Sequence, residues 1–432
     1  MRICYRSGMA KLKRALGLFE ATLIGVGIIL GAGIYVLIGE AAGLAGNALW
    51  LSFIIVGIAC ALTGLSYAEL ASIFPKAGAE YVYIERAFNR TLAWFVGYLL
   101  VVGGIIGAAT VALGFANYFT ALFSAPKLLT ALTLLAVCSC ILLTGIKESA
   151  IIEVIFTLIE VFGLLIIIFI GLPYVGSVNY FELARGMSGV FESAALVFFA
   201  YIGFESVARL AEETRNPTVT IPRAIILSIA LTTLLYVLVA ISSISVLGWK
   251  ELSASDAPLA AVASHLFGEK AFTILSVIAL FATFNTVLAV MLTTIRLMYG
   301  MASLHSLPSV LAKVSRGTRV PWTATLFVGL LSMLFVFFEN IRTVASMTNF
   351  ATLLTFALVN TSVIVLRSRG VRGRFQTPFT VRGIPLLPLL ALLSCIFMLA
   401  HIEASAIVYS IILALVGMII YVILRKTKMI KA

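Results

Sequence analysis

The stretch GVGIILGAGIYVLIG, residues 25–39, sets Gly25, Gly27, Gly31, Gly33 and Gly39 in one uninterrupted apolar run. Each glycine in a helix interior costs roughly 1 kcal/mol relative to alanine, so this density argues against a plain, continuous helix. A second run, FFAYIGFESVA at 198–208, places Gly203 two residues before Glu205. Inside a bilayer the backbone opens only where it is buried in protein or lines a cavity, because lipid offers it no hydrogen-bond partner. Both runs therefore read as helices interrupted within a membrane. Glycine also serves close helix packing, but the second interruption, with its carboxylate, favours the broken-helix reading.

Composition supports the membrane setting. The 432 residues are 62% hydrophobic and 11% charged, with a mean hydropathy of +1.14, against about 25% charged for a soluble domain. A soluble globular protein is excluded. Apolar runs at 17–42, 47–73, 92–121, 128–146, 150–173, 188–210, 223–248, 270–301, 321–338, 343–366, 385–401 and 404–424 predict twelve transmembrane helices, since a span needs about 20 apolar residues. The runs are too long and too continuous for barrel strands. The net charge of +12 is an orientation signal. With both termini inside, the inner connections hold 24 of the 30 Lys and Arg residues; the outer ones hold Lys127, Arg185, Lys250, Lys270 and Arg342, and Arg296 lies within the eighth span. That asymmetry obeys the positive-inside rule. The longer loops are expected at 174–187 and 249–269 outside and at 74–91, 302–320 and 367–384 inside. No basic groove with interleaved aromatics exists, which excludes a nucleic-acid partner. The apolar stretch after the basic head runs past Tyr35 with no cleavage pattern, so it is a span and not a signal peptide. Met9 is an alternative start to Met1.

The interruptions fall in the first and sixth of twelve predicted spans. Broken helices at corresponding places in two five-helix halves point to an inverted repeat with its site at the midplane. The expected organisation is all-α: an inner N-terminal segment (1–16), a first five-helix repeat (17–173), a second, inverted one (188–366), two further helices (385–424) and an inner tail (425–432). Beyond the glycines, the halves share no obvious residue-level match.

Where the first helix breaks at Gly31, Ala32 and Gly33, the following amides lose their intrahelical partners and point into the cavity at the positive end of the helix dipole. That end attracts a carboxylate. Carbonyls near Ile29 and Leu30, with counterparts near Phe199, Ala200 and Ile202, are positioned to accept from an ammonium group. A small zwitterion, an α-amino acid, satisfies both sets. Intramembrane ionisable groups cost about 2.5–3.5 kcal/mol on insertion scales and are functional candidates: Glu153, Glu160, Glu205 and Arg296. Glu160 and Glu205 are both candidates to carry a coupling proton; for Glu205 the favoured reading is a carboxylate that caps freed amides or pairs with Arg209, while Glu160 reads equally as a coupling or a structural group. Glu153 and Arg296 lie nearer the inner ends. The five cysteines read as small apolar packing residues, apart from Cys4 in the basic head. His265, His305 and His401 have no ligand-like spacing, and Ser242, Ser243 and Ser245 read as packing residues. No metal site, cofactor or enzyme is implied.

Three segments resemble the amino acid-polyamine-organocation superfamily: GVGIILGAGIYVLIG (25–39), SYAELASIFPKAGAEYVYIERAFNR (66–90), which has Gly78-Ala79 where the family usually has two glycines, and FFAYIGFESVARLAEETRNPTVTIPRAI (198–225). With the twelve-span layout the resemblance covers nearly the whole chain. It implies a five-plus-five transporter of amino acids or related amines working by alternating access, with helices eleven and twelve outside the repeat. It also implies that Gly31, Ala32 and Gly33 bind the substrate carboxylate, that Phe199 closes over the substrate, and that Ile29, Ala200 and Ile202 offer carbonyls to its amine, next to Gly203. Proton-coupled relatives carry a lysine in helix five; counting from Gly145-Ile146-Lys147, Glu160 stands there instead. Glu160 would take up a proton itself, hold a cation such as sodium with Asn285 or Thr286, or mark an exchanger without a coupling ion. The proton is favoured. Met347-Thr348-Asn349-Phe350 of the tenth span is a further candidate for the pocket.

The expectation is an inner-membrane permease for a neutral or apolar amino acid. An exchanger and a polyamine carrier are the alternatives within transport, and a non-transporting amino acid sensor is the rival of another class.

Overall fold

The computed structural model describes residues 16–74, 79–144, 150–210, 214–315, 317–381, 383–427 and 430. The first predicted span is two helices, α1 (Leu18–Ile29) and α2 (Gly33–Ala45), separated by Leu30 to Ala32. After one 3₁₀ turn come α3 (Leu49–Ile73), α4 (Ala79–Ala87), α5 (Arg90–Phe123), α6 (Lys127–Thr144) and α7 (Ala150–Gly171). The second half opens with another interrupted span, α8 (Gly186–Val197) and α9 (Ser206–Arg209). It continues through α10 (Pro217–Ala254), α11 (Pro258–Phe267), α12 (Glu269–Ser303), α13 (Trp322–Val336) and α14 (Ile341–Ser368). A short antiparallel pair, β1 (Thr380–Val381) and β2 (Ile384–Pro385), leads to α15 (Leu386–Ala400) and α16 (Ala404–Lys426).

Helix occupies each of the twelve predicted stretches. Among the described residues, nine helical segments are long and apolar enough to cross a membrane, with α2 and α3 counted as one of them. The other predicted spans show why the two numbers differ: α13 and α15 have 15 residues each, about 22 Å of helix against a hydrocarbon core of about 30 Å.

One expectation needs correction. Residues 249–269, expected as an outer loop, are mostly helical: α10 runs to Ala254 across a kink at Gly248 (φ 71°), and α11 buries Pro258, Leu259, Ala260, Val262 and Ala263. Ten residues are too few to span, so hydropathy alone could not tell this buried helix from a connection. Residues 79–87 of the expected inner loop also form a helix, α4.

Packing sorts the helices into a buried centre and a lipid-like rim. α3 lies along α10 and α5 along α12, while α14 packs against α5 and α15. By contrast α16 leaves Ile411, Leu415, Met418, Ile419 and Ile423 about half exposed, an apolar exterior that suits hydrocarbon and not water. Some buried hydroxyls bond backbone carbonyls within the fold: Thr283 donates to the Ala279 carbonyl at 2.7 Å, and Ser332 crosses to the Ile105 carbonyl at 3.0 Å. The broken spans pack half against half, α2 with α8 and α1 with α9. A backbone bond from Arg215 N to the Leu16 carbonyl (2.8 Å) ties the chain ahead of α1 to the segment after α9.

Candidate functional site

The two interruptions cross in contact. A Cβ on Gly33 would stand 2.5 Å from the Ala200 Cα, and one on Gly203 would stand 2.8 Å from Ile28 Cγ2 and 3.0 Å from the Ile28 carbonyl oxygen. Only a residue without a side chain allows that approach. Gly203 also has φ 126°, a conformation that L side chains rarely adopt. The second break runs through a 3₁₀ turn, Phe198–Tyr201, and an extended Ile202 (ψ 130°) before α9 restarts the helix. Its loosened amide is claimed at once: Gly203 N donates to Glu205 Oε2 at 2.9 Å. Glu205 thus caps a freed amide, as one of its two sequence readings has it.

At the first break the Ala32 amide donates to Thr286 Oγ1 at 3.0 Å, and that hydroxyl donates onward to the Ala282 carbonyl at 2.9 Å. The carbonyls of Ile29 and Ala200, expected to stand free, both accept from one donor. The Tyr236 hydroxyl, buried on α10, lies 2.9 Å from the Ile29 oxygen and 3.0 Å from the Ala200 oxygen. A carbonyl has two lone pairs, so each keeps capacity for a second donor. Sequence reasoning missed Tyr236. The signal available was a tyrosine in an apolar span, whose hydroxyl must find a buried partner, but the partner's identity is a matter of tertiary structure.

Other tyrosines brace the same region. Tyr35 donates to the Glu160 backbone carbonyl (2.7 Å), Tyr118 to the Tyr35 carbonyl (2.9 Å) and Tyr201 to the Phe53 carbonyl (2.9 Å). Glu160 itself is 1% exposed on α7 beside the Asn285 side chain, and its Oε1 has no hydrogen-bond partner. Asn285 precedes Thr286, so α12 joins Glu160 to the first break through consecutive residues. Glu160, Asn285, Thr286, Gly31, Ala32 and Gly33 are therefore neighbours in space. Gly31, Phe199, Ile202, Asn285 and Thr286 retain partial exposure.

On α14, Asn349 is fully buried and its Nδ2 donates to the carbonyls of Ala195 (2.8 Å) and Leu196 (2.9 Å), holding the end of α8 just ahead of the second break. Arg296 is exposed on α12. The side chains of Glu153 and Arg209, the acidic pair Glu212 and Glu213, Gly78, and Gly145 to Lys147 lie outside the described residues.

A cavity of about 480 Å³ opens beyond the far end of α2, lined by Glu40, Asn117, Lys127, Asp256, Glu339 and Arg342 among others. Glu40 lies seven residues past Gly33, about 10 Å along the helix. A smaller cavity of about 60 Å³ reaches back toward the break at Val36 and Gly39.

Comparison with known proteins agrees with this architecture. Residues 16–424 match the family model described as amino acid permease. The chain is 32% identical to a branched-chain amino acid permease of Bacillus subtilis, over 97% of this chain and 94% of that protein. It is 30% identical to a methylthioribose transporter of the same organism, over 96% and 94%. A vacuolar cationic amino acid transporter of Arabidopsis thaliana is 34% identical over 83% of this chain and 60% of its own length. These relatives are transporters and not enzymes. Two helices that break against each other, in a helical membrane protein matched over almost its whole length, place this chain in the amino acid permease family.

Proposed function

We propose that the protein carries amino acids across the cytoplasmic membrane by alternating access, both termini inside, as two inverted five-helix repeats with two additional helices. The observation that carries this reading is the crossing of the breaks at Gly33 and Ala200, where backbone groups rather than side chains form the site. The pairing of α3 with α10 and of α5 with α12 supports the repeat, because each couples helices at equivalent places in the two halves.

The substrate carboxylate binds the amides at Gly31 and Gly33, on either side of the Ala32 amide that Thr286 holds. The ammonium group binds the remaining lone pairs of the Ile29 and Ala200 carbonyls, with the Ile202 carbonyl beside them, and Phe199 closes over the bound molecule. Ile28, Phe199 and Ile202 give the site an apolar character, and a relative is named for branched-chain substrates; a neutral, apolar amino acid is the favoured cargo. Glu160, buried with one oxygen unpartnered beside Asn285, supplies a group that binds and releases the coupling proton.

The test is uptake of a panel of labelled amino acids into proteoliposomes, with and without an inward proton gradient. Gradient-stimulated accumulation of one class is expected. Entry only into vesicles preloaded with amino acid would identify an exchanger, and stabilisation by a ligand that never enters would identify a sensor.

A further inference from the structure

The second break continues into an aromatic layer. Phe204 follows Gly203 directly, and its ring centroid lies 6.1 Å from that of Tyr67 on α3 and 5.2 Å from that of Phe356 on α14. Tyr67 also meets Phe356 (5.5 Å) and Tyr83 of α4 (6.3 Å), and Phe198 meets Phe356 (5.8 Å). All five rings are at most 2% exposed. They fill the space between the interrupted span and the ends of α3, α4 and α14 that carry the basic connections.

Beyond this layer sits a buried ion pair. Arg367, at the end of α14, grips Glu69 of α3 with two bonds, Nε to Oε1 at 2.6 Å and a terminal guanidinium nitrogen to Oε2 at 2.7 Å. Glu69 is fully buried and the Arg367 side chain is 9% exposed. Thr377 closes the cluster: its amide donates to Glu69 Oε2 at 2.8 Å, and its carbonyl and hydroxyl oxygens accept from Arg367 at 3.0 and 2.9 Å. One residue pair away, Phe375 N donates to Ser72 Oγ at 3.3 Å, so the chain after α14 is strapped over the end of α3.

Burying a charge pair is a poor route to stability, since desolvation offsets most of the attraction, whereas losing one partner is heavily penalised. Such a pair suits an element that must hold one arrangement firmly and exchange it for another. We infer that Glu69 and Arg367 form the latch, and Tyr67, Phe204 and Phe356 the plug, of the inner gate of the transport path, closed in this structure. Opening that side parts α3 from α14, breaks the pair and withdraws Phe204 with the backbone that turns at Gly203. The inference rests on the transport reading and adds positioning residues that act on gate opening rather than on the substrate.

Cys60 reports on the gate. It is 1% exposed on α3, seven residues, about 10 Å, from Tyr67 toward the membrane centre. With Cys4, Cys138, Cys140 and Cys395 replaced by serine, an impermeant maleimide is added to inside-out and to right-side-out vesicles. Native Cys60 is expected to label slowly in both. Glu69→Gln, Arg367→Met and the double variant Glu69→Met/Arg367→Met, which leaves no unpaired charge if a single variant folds poorly, are each expected to label at least ten-fold faster from the inner side only. The exchanged pair Glu69→Arg/Arg367→Glu is expected to restore protection. Unchanged labelling in monodisperse variants overturns the latch, and so does faster labelling from both sides, which marks a loosened fold. Labelling that responds as expected in a protein that accumulates no amino acid would count against the transport reading alone.

Discussion

At the residue scale the site is defined by where side chains are missing and by one hydroxyl that no spacing announces. A Cβ at Gly33 would overlap the Ala200 backbone, which cannot swing aside as a flexible side chain can. Gly33→Val is therefore expected to force the breaks apart and cut amino acid uptake in proteoliposomes at least 100-fold, with Gly33→Ala intermediate. Size-exclusion profiles should remain those of a folded protein, because the change is confined to the crossing. Tyr236→Phe removes the donor shared by Ile29 and Ala200. Leaving buried acceptors unpaired costs about 1–3 kcal/mol, so a lowered melting temperature of the solubilised protein is expected, along with a raised KM as the carbonyls lose their alignment. The glycines were legible in the sequence because glycine has a steric meaning that does not depend on neighbours. Tyr236 was not, because a hydroxyl reveals its partner only once α10 is laid beside both breaks. The same holds for Asn349, expected in the pocket and found gripping the last carbonyls of α8.

At the scale of elements, hydropathy located the helices and the glycines located their interruptions, while short buried helices escaped both signals. α11 is the clear case. Its ten residues bury one face against α12 and α10, yet their length and their neighbours Ser255, Asp256 and Gly268 read as a connection. The join between α12 and the first break was legible only in its parts: Asn285 and Thr286 were candidates, but only the fold shows Thr286 accepting the Ala32 amide while Asn285 turns to Glu160. Two consecutive residues of a single helical turn thus serve both the first break and the carboxylate proposed for coupling. Thr286→Val keeps the shape and removes the acceptor, so it is expected to weaken substrate binding about ten-fold, as the loss of one hydrogen bond near 1–1.5 kcal/mol implies. Thr286→Ser should retain binding. Equilibrium binding of the transported amino acid to purified protein distinguishes the two.

At the scale of the whole molecule, the question is how a site made of backbone groups is linked to a driving force. Of the two broken spans, α2 packs with α8 and α1 packs with α9, and both pairs meet α10. Glu160 stands on α7, outside this group, yet touches it through the Tyr35 hydroxyl, which donates to the Glu160 backbone carbonyl. A rocking of the broken helices against α7 and α12 would change what surrounds that carboxyl group, and a carboxyl whose surroundings alternate can load a proton on one side and release it on the other. Glu160→Gln keeps the size but can neither load nor release a proton. It is expected to preserve binding and amino acid exchange between the two faces of the vesicle, while the stimulation of net uptake by an inward proton gradient disappears. Initial rates measured at equal internal and external pH, and again with the outside acidic, give that comparison directly. Stimulation that survives in Glu160→Gln would move the coupling role off α7 altogether.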